Sequence, residues 1–360
     1  MLTGEELLVG ADAERGEQLV PGALVHGKLL PGAEGVDLAL ELGVRGDAAG
    51  LGEDLAALDV LLLGAAEQIG TPGVQKTMVR KVSKIVTPGT ATDEGIAPER
   101  QDNIIACVYK GKRQYGFAYL SLGAGMFKTT ECQDEKTLSI YLEKISPIEI
   151  LYEENFKQTS LFGEIKSKKA LPAWNFELQS SYRLLCSQFQ TQSLFGFDIE
   201  SMEDGICAAG ALLSYVKQTQ NVNIVHLKSI SRDDYSDFVI LDKCAQRNLE
   251  LLSNLRGDRS GSLLDVIDEA ITPMGQRMIR RMILEPLRSQ DAVNARLDLV
   301  SDLMKSDLEG IRDFFKGIGD LERINARIGL ATARPKDLAV LRDALKSLPV
   351  LKKMLLSSSL

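Results

Sequence analysis

The feature that most constrains the fold of this chain is a charged helix that is followed, after a short break, by a helix starting at a proline. The run Gly319-Asp320-Leu321-Glu322-Arg323-Ile324-Asn325-Ala326-Arg327 has helical spacing, and Thr332-Ala333-Arg334-Pro335-Lys336-Asp337-Leu338 follows after a short break. Proline loses nothing in a first helical turn, so a new helix is predicted from Pro335. Glu322 has no Lys or Arg four residues later to pair with along the helix. The charges of the Asp320–Arg323 run therefore predict contacts between helices and not catalysis.

The chain from Phe238 onward is predicted to be an array of helices. The apolar spacing of Leu249, Leu252 and Leu255 predicts one helix, which Gly257 would end. Ser262 and Thr272 are predicted helix caps, and Pro273 follows Thr272 as the first helical residue. The remaining helices of the array are predicted at 289–303, 308–315, 321–330 and 335–348.

The helix after Thr272 combines an apolar stripe with three arginines. We expect the stripe to pack in the core; it consists of Met274, Met278, Ile279, Met282 and Ile283. Arg277, Arg280 and Arg281 lie largely on other faces. We expect a solvated or salt-bridged surface there, and a DNA-facing patch is the alternative.

Residues 103–160 alternate between strand and helix patterns. Strands are predicted at 103–109, 114–122, 126–130 and 148–152, and a helix from Thr137 is stopped by Pro147. Gly123-Ala124-Gly125 is typical of a tight hairpin turn. A further helix is predicted over 207–218, and Trp174 and His226 are expected to be packing residues. The strand-strand-strand-helix-strand order indicates an α/β layer fold.

The first 66 residues differ in composition from the rest of the chain. They hold 12 of the 31 glycines, 3 Lys and Arg against 12 Asp and Glu, and no Ser, Ile, Asn, Phe, Tyr or Trp. One interpretation is an acidic, partly disordered segment with short helices such as Glu53–Leu63. The other is a segment translated in the wrong frame, with the native sequence starting at Glu67.

Bulk properties exclude several classes of protein. The net charge is −8, but residues 67–360 are nearly neutral, so the charge neither requires nor excludes nucleic acid. No apolar run approaches the roughly 20 residues that span a bilayer. We expect no secretory signal, because no cationic flank precedes an apolar block at the N-terminus. The five cysteines lack a C-x-x-C pair and only two histidines occur, which argues against zinc. We expect a cytoplasmic protein with reduced thiols.

The two C-terminal runs, together with Val86-Thr87-Pro88-Gly89-Thr90 and Thr272-Pro273-Met274-Gly275, resemble the MutS family of DNA mismatch-repair proteins. Their order and spacing are similar to those of the family. The resemblance implies an α+β multidomain chain in which a ribonuclease-H-like connector precedes an all-α core or lever region. It divides the chain into the anomalous segment 1–66, a remnant of the mismatch-binding domain at 67–100, a connector at 101–236 and a truncated core at 237–360.

The resemblance also implies partners and cofactors. In the family, binding of mismatched double-stranded DNA is coupled to ATP exchange and to recruitment of a downstream repair partner through the connector, and the proteins form homodimers. Lys76, Arg80, Lys81 and Lys84 would end the mismatch-binding domain and are the candidate DNA contacts, although a solvated strand face is the simpler interpretation. ATP and Mg²⁺ serve the full-length family, but no G-x-x-x-x-G-K-[ST] loop occurs here, so we expect no cofactor in this chain.

Three functions compete at this stage. The first is a mismatch-repair DNA-binding protein without the family's Phe-x-Glu reader, since Phe162-Gly163-Glu164 lies in the wrong domain. The second is a short module that docks repair partners without DNA or nucleotide. The third is a two-metal nuclease, which is disfavoured because Ser121, expected on the first strand of the connector, stands where MutS-like sequences usually carry Asp.

Overall fold

The computed structural model describes residues 63–69, 79–92, 100–163, 165–234 and 237–357. They fall into two units, the first formed by described residues up to Ile85 and the second by those from Val86 onward. The first unit is a two-stranded sheet of β1 (Leu63–Ile69) and β2 (Val79–Val86). The alternating pattern of Met78 to Val86 predicts an extended strand, which β2 confirms. β1 crosses the compositional boundary at residue 66, and the predicted helix before it lies outside the described residues, apart from Leu63.

The second unit opens with a six-stranded mixed sheet in the order β7-β6-β3-β4-β5-β8. β4 pairs antiparallel with β3 and β5, whereas β6 runs parallel to β3, β7 to β6, and β8 to β5. The elements of this region are β3 (Ile105–Lys110), β4 (Tyr115–Ser121), β5 (Met126–Cys132), α1 (Glu135–Ile145), β6 (Glu149–Glu153), β7 (Ser167–Leu171), α2 (Leu178–Phe189), α3 (Glu203–Gln220) and β8 (Ser231–Arg232).

Local chemistry explains the boundaries that the sequence predicted. Gly125 takes a φ of 64° in the turn between β4 and β5, a conformation that glycine adopts without steric cost. Asp134 caps α1 by accepting a hydrogen bond from the Thr137 amide at 2.8 Å, and Ser146 ends the helix just before Pro147. Ser121 lies at the end of β4, the second strand, so its predicted place on the first strand was wrong. The first strand, β3, contains no Asp or Glu.

Alternate residues of the central strands face two separate cores. One face, with Phe117 and Tyr119, packs against Tyr141 of α1. The other face, with Ala118 and Leu120, packs against α2 and α3. α3 is buried along most of its length, as a helix sandwiched between a sheet and a second helix must be.

Seven helices follow within the described residues. They are α4 (Lys243–Asn248), α5 (Leu263–Ile267), α6 (Pro273–Leu284), α7 (Gln290–Leu303), α8 (Leu308–Lys316), α9 (Leu321–Gly329) and α10 (Pro335–Ser357). Ser262 caps α5, and Thr272 caps α6 by accepting a hydrogen bond from the Gly275 amide at 3.1 Å, as predicted. No helix among the described residues is long and apolar enough to cross a membrane.

Besides the place of Ser121, three sequence predictions were wrong. α4 ends at Asn248, so the predicted helix to Gly257 does not form, and Leu249 and Leu255 are both 62% exposed. The apolar stripe of α6 is not core: Met278 is 49% exposed, and the buried residue of that helix is Arg277. Trp174 does not pack inside, since 74% of it is exposed.

Candidate functional site

α9 inserts its C-terminal end into the sheet region. Leu330, which follows the helix, is 2% exposed and belongs to the same apolar core as Leu120 of β4 and Leu212 of α3. Gly329 lies directly against His226, and a methyl group at this glycine would overlap the imidazole ring. The helical array and the sheet thus share one core at this point.

Three buried arginines lie on α9 or bind its first residues, and we refer to Arg277, Arg323 and Arg327 with their acceptors as the arginine joint. Arg327, on α9, binds Asp337 of α10 with two hydrogen bonds of 2.6 and 3.0 Å. Its third bond, at 3.3 Å, goes to the main-chain oxygen of Thr92. Asp337 also accepts a bond from the Arg334 amide at 2.8 Å. A single guanidinium therefore ties α9 to α10 and to the segment before β3.

The pKa of Asp337 reflects this pairing. Burial acts to raise its pKa, but the hydrogen bonds from Arg327 and from the Arg334 amide outweigh burial and lower it. Arg327 is itself buried, so both members of the pair are withdrawn from water and each depends on the other for its charge to be tolerated.

Arg323 makes the second connection from α9 to the sheet region. Its Nη2 donates to the main-chain oxygen of Gln101 at 3.1 Å. Its aliphatic part passes over Gly123 in the turn after β4, where an added methyl group would lie 3.6 Å from Cγ. The side chain therefore contacts both the segment before β3 and the β4–β5 turn.

Arg277 joins α6 to the start of α9. It donates two bonds to Asp320, at 2.7 and 2.8 Å, and two to Glu322, at 2.7 and 3.2 Å. Asp320 also caps α9 by accepting from the Arg323 amide at 3.3 Å. Asp102, just before β3, lies 3.7 Å from Arg277 Nε and 3.0 Å from Arg281 Nε. These contacts confirm that the charges of the Asp320–Arg323 run serve contacts between helices and that Arg277 and Arg281 are salt-bridged.

The carboxylates of the joint respond differently to burial. Burial opposes ionisation of Asp320, but the bonds from Arg277 outweigh it and lower the pKa of this carboxyl. For Asp102, burial prevails over the nearby Arg281 and Arg277, and its pKa is raised. Burial would lower the pKa of Arg277, yet its bonds to Asp320 and Glu322 raise it, so this guanidinium remains charged.

A second connection lies at the other end of α6. Lys144 of α1 lies 3.4 Å from the buried carboxylate of Asp233 and 3.2 Å from Glu285, which follows α6. Its ammonium group also lies 4.7 Å from the centre of the Phe238 ring. Lys144 therefore bridges the sheet region and the helical array, as the arginine joint does.

The candidate DNA contacts do not belong to the arginine joint. Lys76 lies outside the described residues, and Arg80, Lys81 and Lys84 are on β2 in the first unit. Phe162 is buried against Phe156 in the α1 side of the core, which suits a packing residue and not a base-stacking reader.

The chemistry of the joint is that of a fixed connection. Its arginines donate their hydrogen bonds to carboxylates and main-chain oxygens. Among the described residues, no group of three or more His, Cys, Asp or Glu is placed to hold a metal ion. The sequence indicated the charged run of α9 but not its acceptors at Thr92 and Gln101. Those acceptors are main-chain carbonyls, which every residue type supplies.

These features define a class: a multidomain scaffold in which a mixed α/β domain is locked to a helical array by a shared core and buried ion pairs. Comparison with protein-family models agrees. Residues 103–228 match MutS domain II and residues 244–360 match MutS domain III, together about two thirds of the chain. The chain belongs to the MutS family, as its sequence motifs indicated, and its process is DNA mismatch repair.

Proposed function

We propose that this chain carries conformational change between MutS domains II and III during mismatch repair. One observation carries the proposal: Leu330, which lies in the part of the chain that matches MutS domain III, is buried in the core of domain II. A movement of α9 must therefore either move the sheet with it or open that core. Coupling between distant sites needs such packed, discrete contacts.

The buried ion pairs make the coupling directional. Arg327 holds both α10 and Thr92, and Arg323 holds Gln101, so α9 is fixed in rotation as well as in position. Apolar contact alone is not directional, whereas bidentate guanidinium–carboxylate bonds specify orientation. We assign the arginine joint the role of keeping the two domains in one register.

The finer features of the family are part of the same proposal. Antiparallel β3–β4–β5 followed by β6 and β7 parallel to β3 supports a ribonuclease-H-like connector. The absence of Asp and Glu from β3, and Ser121 at the end of β4, support a connector without nuclease activity. The proposed partners of this chain are mismatched duplex DNA, a second copy of the chain and a downstream repair protein. Its proposed location is the cytoplasm.

The Gly111-Lys112 pair does not fit the phosphates of the family's nucleotide, and the other Gly-Lys pair, Gly27-Lys28, lies outside the described residues. The Gly111-Lys112 pair lies in the β3–β4 turn, where the Gly111 amide already donates to the Gln114 oxygen at 3.0 Å. The Asp204 carboxylate lies against the same glycine and would repel a phosphate. We therefore derive no step through ATP or Mg²⁺ and propose that this chain alone hydrolyses no ATP.

Leu330→Ala tests the coupling. The substitution leaves a cavity in a core that both domains share, with a cost of about 2–5 kcal/mol in the free energy of unfolding. Amide hydrogen exchange should then speed up in domain II strands β3 and β4 as well as in α9, although the altered residue belongs to domain III.

Leu264→Ala provides the matched control. Leu264 is also buried, at the start of α5, but it is not part of the domain II core. Its loss should speed exchange around α5 and leave β3 and β4 protected. If Leu330→Ala likewise affects helices only, the two domains are not coupled through α9 and the proposal fails.

A second candidate function is docking of a repair protein without DNA. It is favoured by Trp174 and Phe195, two large aromatic side chains of domain II that are 74% and 79% exposed. Binding of a downstream repair partner that is lost on Trp174→Ala and Phe195→Ala, with no binding to duplex DNA, would favour this function over the first.

A further inference from the structure

Glu149, the first residue of β6, is a buried carboxylate that the arginine joint does not include. It is 1% exposed and accepts hydrogen bonds from three groups. The Thr87 hydroxyl donates at 2.5 Å and the Gly89 amide at 3.1 Å, both to Oε2, while the Tyr215 hydroxyl donates to Oε1 at 2.6 Å. Two of these three donors belong to the short segment that follows β2.

That segment is shaped to reach the carboxylate. The Thr87 amide donates to the Thr90 hydroxyl at 2.8 Å, which closes the turn around Pro88. Gly89 lies so close to the sheet that a methyl group there would overlap Ile105 and lie 2.9 Å from the Glu149 carboxylate. Glycine is therefore required at this position by close approach.

The same segment is held at its other end by the arginine joint. Asn103 donates to the Ala91 oxygen at 3.0 Å, and Arg327 donates to the Thr92 oxygen at 3.3 Å. We call residues 86–92 the strap. Glu149 of β6 holds one end of the strap and Arg327 of α9 holds the other. The donor at Thr87 and the acceptor at Thr92 are five positions apart.

The charge of Glu149 has little other support among the described residues. Lys169 of the neighbouring β7 interacts electrostatically with it, and the Lys169 ammonium lies 4.6 Å from the centre of the Tyr215 ring. Burial raises the pKa of Tyr215, with Glu149 adding to the effect, so its hydroxyl stays a donor. Without the strap, the carboxylate would lose two of its three hydrogen-bond donors.

We propose that Glu149 is a positioning residue for the arginine joint: it fixes the strap on the sheet so that the Thr92 carbonyl meets Arg327. The inference rests on the proposed function, because it explains how the state of the domain II sheet reaches α9. It predicts that Glu149 and Arg327 are energetically coupled although no hydrogen bond joins them.

A double-mutant cycle on the full chain tests this. Glu149→Gln, Arg327→Met and the double variant are compared with the unaltered chain by the equilibrium constant for opening of α9, measured from amide exchange. The effects of substitutions at independent sites on this constant multiply to within about twofold. For coupled sites, the effect of the double substitution deviates from that product by about fivefold or more. We expect the opening constant of α9 in the double variant to be at least about fivefold smaller than the product of the two single effects predicts. The reason is that the second substitution removes a contact of the strap that the first has already disrupted.

The controls separate the possible failures. Glu153→Gln alters a carboxylate on the same strand for which no side-chain hydrogen bond is found among the described residues. Its effect on the opening constant should multiply with that of Arg327→Met to within about twofold. If Glu149→Gln fails to fold, Thr87→Val removes a single donor to the carboxylate and enters the same cycle.

Two results would overturn the inference. In the first, Arg327→Met speeds exchange in both α9 and β3, but its effect simply multiplies with that of Glu149→Gln or Thr87→Val. Coupling through the joint would then be supported, and the proposed role of Glu149 would be contradicted. If Arg327→Met leaves β3 exchange unchanged, the proposed coupling fails and the inference fails with it.

Discussion

His226 is an ionisable residue placed where domain III meets the sheet. Its Nε2 lies 3.0 Å from the Leu122 oxygen, so Nε2 carries the proton of the neutral ring. Its Nδ1 is buried without a hydrogen-bond partner in the described part of the chain and faces Gly329. Burial lowers the pKa of His226, and nearby Lys228 lowers it further. A proton on Nδ1 would thus place a charge against Gly329 at the end of α9.

This arrangement predicts that acid weakens the joint. The folded chain holds the pKa of His226 below its ordinary value near 6.5, so the unfolded chain binds protons more readily. The contribution of the neutral imidazole is complete above that ordinary value and is lost as the pH falls from there through the folded-state pKa. The stability difference between the unaltered chain and His226→Gln, measured by urea unfolding, should shrink between pH 7.5 and 5.

Glutamine is the appropriate replacement because it can donate to the Leu122 oxygen and does not titrate. Carboxylates elsewhere in the chain affect both proteins equally and cancel in the difference. A difference that stays constant over this pH range would show that His226 does not titrate at the joint.

Gly329 offers a second test at the scale of single residues. Glycine inside a helix is usually less favourable than alanine by about 1 kcal/mol. Here, however, a methyl group would overlap His226, so Gly329→Ala should destabilise the chain by about 1–3 kcal/mol. Gly317→Ala at the end of α8 is the control, since the nearest atom to its added methyl group is 3.7 Å away. If both variants are equally stable in urea unfolding, α9 does not rest on His226.

At the scale of elements, the sequence predicted helices well where a cap or a proline marks the start. α6 begins at Thr272-Pro273 and α10 at Pro335, as predicted from the side-chain hydrogen bond and the missing amide hydrogen. The leucine spacing after α4 misled because tertiary pairing outweighed it. The Leu264 amide donates to the oxygen of Leu251 at 2.9 Å, and Leu251 is the leucine that becomes buried.

The candidate site was predictable in part for a similar reason. The charged run of α9 and the arginines of α6 were visible as residue types. The lack of a partner for Glu322 along its own helix predicted contacts between helices, whereas for the α6 arginines a DNA-facing patch stayed open as the alternative. The strap was not predictable. Its turn signal at Thr87-Pro88-Gly89-Thr90 was visible, but its anchor, Glu149, lies about 60 residues away and its other contact is a main-chain oxygen.

Arg277→Met tests the contact between α6 and α9. The change removes the guanidinium that pairs with Asp320 and Glu322 and leaves two partly buried carboxylates without their main counter-charge. Breaking a buried pair from one side costs about 3–5 kcal/mol. Urea unfolding should show a loss of that size.

Arg312→Met is the control for that experiment. Arg312 is half exposed and lies 3.8 Å from Glu269, which is mostly exposed, so its loss should cost less than about 1 kcal/mol. Equal losses for the two variants would mean that the joint contributes no more than a surface pair.

At the scale of the whole molecule, the arginine joint changes how the charge of the chain is understood. Residues 67–360 are nearly neutral, yet Arg277, Arg323 and Arg327 are buried and paired inside the protein. These cations cannot contact phosphates without breaking the joint. Contact with DNA must use other cations, and the basic run on and before β2 remains the prediction for that role.

This leads to a prediction about salt. We expect weak binding of the chain to duplex DNA, without preference for a mismatch, because the backbone contacts of cations carry no sequence information. Each phosphate contact that is lost lowers the salt dependence of log K by about 0.9. Replacing Lys76, Arg80, Lys81 and Lys84 with Gln should therefore reduce the slope by up to about 3.6. Fluorescence anisotropy over a salt series measures it.

A matched control distinguishes this contact from a general loss of charge. Lys110, Lys112 and Arg113 are exposed at the β3–β4 turn, and with Lys136 of α1 they allow four Gln substitutions with the same change in net charge. If β2 provides the contact, this control set should leave the slope within about one contact, roughly 0.9, of the unaltered value. Equal slopes for the two sets would assign binding to net charge alone. A tighter complex with mismatched than with matched duplex would contradict the expectation that this chain lacks a mismatch reader.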